Sequence, residues 1–174
     1  MNLIIAPDDR LKLPSETFDF QNPQVDPEEL VEGMFKVVKE NRGFGLAAIQ
    51  VGIPLQVFII HSGTDKPLAY FNPKIVHIDQ DMEAMNEACL SFPGMVASVK
   101  RPKSVRLRAQ SPQGEVFTHV YAGAMGRAVQ HEYDHLLGIT MIKHLSKLKF
   151  DRAVKKGLKY GYKNLENVNY NEWK

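Results

Sequence analysis

The sequence has a single cysteine, Cys89, among 174 residues. No disulfide can form within the chain, and a lone thiol in a globular protein fits a reducing compartment. No apolar run approaches the roughly 18 residues of a membrane-spanning helix. Met1 to Asp8 lack a basic n-region, and their apolar stretch is shorter than the h-region of a signal peptide. The expectation is a cytoplasmic protein with no membrane partner. An excess of charge is also missing: the formal net charge is +2, so the chain as a whole has no electrostatic case for nucleic acid or lipid. Repeats and low-complexity tracts are absent. What is there, 44% hydrophobic and 24% charged residues, is ordinary for one soluble domain with its own core.

Residues 1–26, rich in turn formers and charges, predict an extended arm. A helix follows. Asp26 suits an N-cap, Pro27 the first helical position and Glu29 the capping-box position. Leu30, Met34, Val37 and Val38 form an apolar stripe widened by Val31 and Phe35, and Asn41-Arg42-Gly43 stops it. From Gly43 to Gly52 the chain is small and apolar except for Gln50. A buried amide needs partners, so Gln50 is either a structural residue bonded to backbone or a donor aimed into a site. The stretch is not a phosphate loop, because it lacks the Gly-Lys-Ser/Thr ending.

Strands are predicted over 55–60, 69–71, 74–78, 82–86 and 96–99, with Asn72-Pro73 as a break. A hairpin over 105–110 and 116–120 turns at Ser111-Pro112-Gln113-Gly114, and Arg106 and Arg108 mark its wet face. A second helix is predicted from near Tyr121 to Gly138. A last one runs from about Ser146 to Tyr162, with Phe150, Val154 and Leu158 on its stripe. Strands that do not alternate with helices argue for an α+β fold. Short antiparallel strands would pack around the central helix, with an N-terminal and a C-terminal helix beside them.

That central helix carries Gln130-His131-Glu132-Tyr133-Asp134-His135. Residues i and i+4 share a helix face, so His131 and His135 can reach one metal ion. Glu132, about 100° further round, can act on a water beside the metal without ligating it. The pattern implies metal-assisted hydrolysis if a third ligand and an oxyanion donor exist. A downstream glutamate of the thermolysin type is poorly supplied: Glu166 and Glu172 lie in a polar tail. The metzincin extension fits at Gly138 but fails at Met141, where histidine is needed, and His144 comes three residues late. Cys89 remains. A lone cysteine is commonly a small buried hydrophobe. Beside a His-Glu-x-x-His helix, and between Glu87 and Ser91, it reads as the third ligand of a site for zinc or ferrous iron.

Three segments together resemble the peptide deformylase family. They are Gly43-Phe44-Gly45-Leu46-Ala47-Ala48-Ile49-Gln50, then Glu87-Ala88-Cys89-Leu90-Ser91, then Gln130 to Gly138. The resemblance covers most of residues 1–150, which would be the metallohydrolase domain, with 146–174 a basic helix and tail of the same domain. It implies that Cys89, His131 and His135 ligate one divalent metal, most often Fe(II), with zinc, nickel or cobalt as substitutes. Glu132 would be the general acid/base. The Gln50 amide and the Leu90 N–H would stabilise the oxyanion, and Gly45 would offer backbone to a substrate lying as an added strand. The implied reaction is removal of the formyl group from N-formylmethionyl nascent peptides. Phe44, Gly45, Glu87, Ala88 and Ala128 are the expected substrate contacts. Ala88 stands where the family has glycine, Phe44 is larger than usual, and Ala124 and Ala128 would widen the pocket for methionine.

Two ion pairs are expected, Arg101 with Asp134 and Arg127 with Glu87. Residues 143–163 hold eight Lys/Arg and one acid, Asp151, which suits either a solvated helix face or docking on ribosomal RNA. The competing readings are a zinc peptidase and a catalytically silent ribosome- or metal-binding module.

Overall fold

The run Val57-Phe58-Ile59-Ile60 shows no polar alternation, and all four side chains are buried in the structure, a computed structural model describing residues 1–174. The strands in chain order are β1 (Gly45–Ala47), β2 (Val57–Ile60), β3 (Leu68–Ile78), β4 (Met82–Ala88), β5 (Val96–Pro102), β6 (Ser104–Gln110) and β7 (Val116–Ala122). The helices are α1 (Pro27–Glu40), α2 (Gly123–Leu136), α3 (Lys147–Lys159) and a short α4 (Tyr170–Trp173). A five-stranded antiparallel sheet has the order β1-β2-β3-β6-β7, and β4 pairs separately with β5.

β2 is apolar throughout because the sheet is covered on both faces there. Val57 and Ile59 meet Leu30, Met34 and Val38 of α1. Phe58 and Ile60 meet Ala128, Val129 and Leu136 of α2. The His-Glu-x-x-His helix is thus packed on the sheet, as expected for the α+β arrangement. On β6 the alternation predicts the faces correctly: Val105, Leu107 and Ala109 are buried while Arg106 and Arg108 are exposed. Asp26 caps α1 by accepting from the Glu29 N–H at 2.9 Å.

Four expectations need correction. Asn72-Pro73 does not break a strand; β3 runs through it with a register shift between Phe71 and Lys74. Asn72 takes a φ of 46°, and its side chain bonds both the N–H (2.7 Å) and the carbonyl (2.9 Å) of Phe18, so the arm supports the bulge. The N-terminal arm is not simply extended either. It makes a 3-10 turn at Asp9–Lys12 and buries Leu11 and Phe18. Its Ile4 N–H bonds the Gln50 carbonyl and its Ala6 N–H the Ser91 carbonyl, both at 2.8 Å. α2 is shorter than predicted at both ends.

The C-terminal region differs most. α3 stops at Lys159, a 3-10 turn covers Lys163–Asn167, and α4 follows. Leu165, Val168 and Trp173 are buried in one cluster with Ile4, Leu11, Phe92 and Phe150. The buried residues of α3 are Phe150, Ala153 and Gly157, and Val154 and Leu158 of the predicted stripe pack, partly buried, against the same cluster. The tail is packed core, and its isolated anchors carry no helical or strand period to reveal it.

Candidate active site

α2 places His131 and His135 one turn apart, with ring centroids 5.0 Å from each other. Cys89 lies just after β4 and is buried, its Sγ 3.3 Å from His135 Nε2. One ligand atom from each of the three lies within 4.8 Å of the others. A thiolate and two imidazoles converging in a buried spot fit a divalent metal of the zinc or ferrous type. Burial would push the Cys89 thiol up, but the facing His135 and His131 rings outweigh it and bring it down to about 5. The thiolate is thus the favoured form, as a ligand requires.

The second nitrogen of His131 is held. Its Nδ1 is 2.9 Å from Glu87 Oε2, which leaves Nε2 for a metal. Glu87 in turn accepts from Arg101 Nε at 2.7 Å, Arg101 Nη2 at 3.0 Å and Arg127 Nη1 at 3.0 Å. Arg101 also donates to Asp134 at 2.6 Å, and His144 Nε2 lies 2.7 Å from the same carboxylate oxygen. Both expected ion pairs are present. The sequence did not reveal that Arg101 holds Glu87 as well, which merges the pairs into one network. Burial would raise the Glu87 carboxyl, but the hydrogen bonds from His131 and Arg101 hold it far below the usual carboxylate range. Glu87 lines the cavity, as expected of a substrate-side residue, yet its carboxylate is spent on these partners.

Glu132 is buried, and its Oε2 has no partner within the chain. Burial pushes its carboxyl up to about 7. Gly45 explains how it fits: a Cβ on Gly45 would stand 2.5 Å from Glu132 Oε1. Gln50 reconciles its two readings. Its Oε1 accepts from the Ala47 N–H at 2.8 Å, which fixes the amide. Its Nε2 faces the site, 3.0 Å from Ser91 Oγ and 3.5 Å from Cys89 Sγ. The Leu90 N–H donates to no carbonyl of the chain. Ala88 lies within β4 in ordinary extended backbone, as its added methyl demands.

One cavity of about 650 Å³ joins these parts. Gln50, Cys89, Leu90, His131 and Glu132 line it, with Phe44, Gly45, Ala88, Ala124 and Ala128 around them. His135 lies fully buried beneath. Sequence reasoning missed Leu3, Ile5 and Tyr162, which border the same cavity from the two ends of the chain. No local pattern marks them.

A family model described as Polypeptide deformylase matches residues 1–151. The chain belongs to the polypeptide deformylase family. A peptide deformylase of Rhodopseudomonas palustris (strain BisB18) is 35% identical over 171 residues, covering 91% of this chain and 97% of the relative. One of Afipia carboxidovorans is 39% identical over 158 residues, covering 88% and 91%. Among solved structures, a peptide deformylase from Legionella pneumophila superposes with a TM-score of 0.84 at 29% identity, over 97% of this chain and 98% of that one. A peptide deformylase from Synechococcus elongatus in complex with actinonin gives 0.84 at 30% identity, over 92% and 88%. The family's enzymes depend on a metal, and Cys89, His131 and His135 form the matching site here. No helix is long and apolar enough to cross a membrane.

Proposed function

We propose that this chain hydrolyses the formamide of N-formylmethionyl nascent peptides, releasing formate and a free amine. The observation that carries this is a Cys-His-His cluster at a cavity that is also lined by the buried Glu132, by Gln50 and by Leu90. Cys89, His131 and His135 would hold the ion, with Fe(II) preferred and zinc, nickel or cobalt able to replace it. A bound divalent metal supplies Lewis acidity and lowers the pKa of water enough for attack at neutral pH.

Glu132 takes the proton of the attacking water and passes it to the leaving amine. A carboxyl at about 7 can do both near neutrality. The Gln50 Nε2 and the Leu90 N–H donate to the oxygen that becomes negative; one such donor is worth roughly 3–4 kcal/mol of barrier. The backbone beside Gly45 and Ala88 receives the peptide as an added strand. Ala124 and Ala128, small and on the cavity side of α2, leave room for a methionine side chain. Phe44, 47% exposed, stands at the rim.

The test is formate release from formyl-Met-Ala-Ser, run anaerobically with metal analysis, beside acetylated and unblocked Met peptides. Selective release of formate is expected. Comparable cleavage of the acetylated peptide, or cleavage within the chain, would instead make the protein a peptidase. Glu132→Gln should keep fold and metal while turnover falls at least a hundredfold; near-normal activity in that variant would sink its assigned role.

The basic residues Lys149, Arg152, Lys155, Lys156 and Lys159 of α3 are all exposed, which supports docking of this face on ribosomal RNA in the cytoplasm. Cosedimentation with ribosomes that is lost in salt, and lost in a Lys155→Glu, Lys156→Glu, Lys159→Glu triple variant, is expected. No binding at low salt rejects the docking.

A further inference from the structure

The five-stranded sheet is covered unequally. α2 packs along one face, where Val105, Leu107 and Ala109 of β6 join Phe58, Ile60 and Val129. α1 lies on the other face, over β1 and β2 and against Phe71 of β3. Beyond Phe71 that second face is open to solvent. Side chains alternate along a strand, so Arg106 and Arg108, set between the buried residues of β6, point to this uncovered side, and both are exposed. Register sets Lys74 of β3 directly across from Arg108 and His77 across from Arg106, and these two are exposed as well.

Like charges directly opposite one another across an antiparallel pair weaken the pairing. Nothing in the chain offsets them here. The ion pairs of the protein include none of Lys74, Arg106 and Arg108. The nearby acids are spent elsewhere: Asp79 accepts from Ser104 at 3.0 Å, Asp81 pairs with Lys103 at 3.2 Å, and Glu28 of α1 is bonded to Gln113. Glu115, one residue before β7, is out of phase with Val116, Thr118 and Val120 and so belongs to the other face. On β7, Thr118 stands opposite Arg108 and Val120 opposite Arg106. Phe117 and Tyr121 have the opposite parity and pack with Tyr70 on the α2 side. Beyond Phe71, these strands present no Phe, Tyr or Trp on the open face.

We propose that this uncovered half of the sheet docks on the backbone of double-helical RNA through Lys74, Arg106 and Arg108. Charge complementarity carries the argument. Arg106 and Arg108 stand about 6.8 Å apart along their strand, and Lys74 extends the block by one strand spacing of about 4.8 Å. Such a block faces a row of phosphates rather than one small anion. Without an aromatic ring the face has no platform on which single-stranded bases could stack. It also has no projecting helix or two-stranded ribbon to enter the major groove of DNA. The minor groove of an RNA helix is wide and shallow and displays 2′-hydroxyls beside the phosphates. Thr118 supplies a hydroxyl for them next to Arg108. The contact is electrostatic and carries no base sequence. It is separate from the basic face of α3, and it is independent of the deformylase reading, because none of these residues lines the catalytic cavity.

The test is fluorescence anisotropy of a labelled RNA duplex of about 20 base pairs with the full chain, titrated between about 50 and 200 mM salt. A Lys74→Gln, Arg106→Gln, Arg108→Gln triple variant should bind roughly tenfold or more weakly at the low end. Its plot of log affinity against log salt should be shallower than the parent's by about 2–3, close to one per lost phosphate contact. Formate release and Tm should stay at the parent's values or above. Thr118→Val should weaken binding to the RNA duplex and leave a DNA duplex of the same sequence unaffected. The α3 variant Lys155→Glu, Lys156→Glu, Lys159→Glu should still lose affinity when the three sheet substitutions are added. An unchanged affinity and slope in the triple variant overturn the surface. So does equal or tighter binding of the DNA duplex, or binding to vesicles of anionic lipid without binding to RNA. RNA binding that depends on the three cations, with no formate released from any peptide, upholds the surface and overturns the deformylase reading alone.

Discussion

Glycine at position 45 gives the Glu132 carboxyl its room by having no side chain. With only 2.5 Å between a built Cβ and Glu132 Oε1, Gly45→Ala forces the carboxylate to move. A displacement of about 1 Å in an acid/base can cost on the order of a hundredfold in rate. Gly45→Ala should therefore lower kcat by about that factor with metal content unchanged, measured by formate release and metal analysis. Cys89→Ala makes the complementary test: metal should be lost, and full occupancy in the purified variant would reject Cys89 as a ligand. At this scale the grouping of Cys89, His131 and His135 was legible, because their types and the helical spacing of the two histidines point to one metal site. Glu87 was less so. Its pairing with Arg127 was expected, but nothing local shows that Arg101 of β5 and His131 of α2 take the same carboxylate.

At the level of elements, this ion network ties β4, β5 and α2 together. Glu87 and Arg101 are almost wholly buried, with side chains 3% and 4% exposed, so removing one partner strands a charge. Such losses cost about 3–5 kcal/mol. Arg101→Lys keeps the charge but loses the two-pronged contact with Glu87 and the bond to Asp134, and should lower Tm by several degrees in a thermal melt. The pH dependence follows from the depressed Glu87 carboxyl. A carboxylate stabilised in the folded state contributes fully above the ordinary glutamate range, near ~4.3, and its contribution disappears as pH falls through the lower folded value. Glu87→Gln should thus be less stable than the parent at pH 7, with the gap shrinking as the pH drops below about 4. A constant gap from pH 7 to 2 in denaturant titrations would exclude the linkage. Elements with a clear period, α1, β6 and α2, could be read in advance. β3 could not, because its bulge at Asn72 depends on bonds to Phe18, distant in sequence.

Across the whole molecule, the region after residue 146 is structural as well as basic. Leu165, Val168 and Trp173 share a cluster with Ile4, Leu11 and Phe92, and Trp173 stacks edge-on against Phe92 at 5.0 Å. Deleting 146–174 should expose that cluster and unfold or aggregate the domain, seen as loss of a cooperative melt. Charge reversal on α3 is therefore the cleaner probe of ribosome docking. The order of strands and helices made the fold class legible, but the tail was not, because its anchors are single apolar residues in polar surroundings.

The sharing of one cluster by the first and last segments also has a consequence in time. Ribosomal synthesis delivers Ile4 and Leu11 long before Trp173. Until Trp173 has cleared the exit tunnel, the cluster lacks part of its filling. A catalyst that trims the beginnings of other chains closes its own core only when its segments near Ile4 and Trp173 meet.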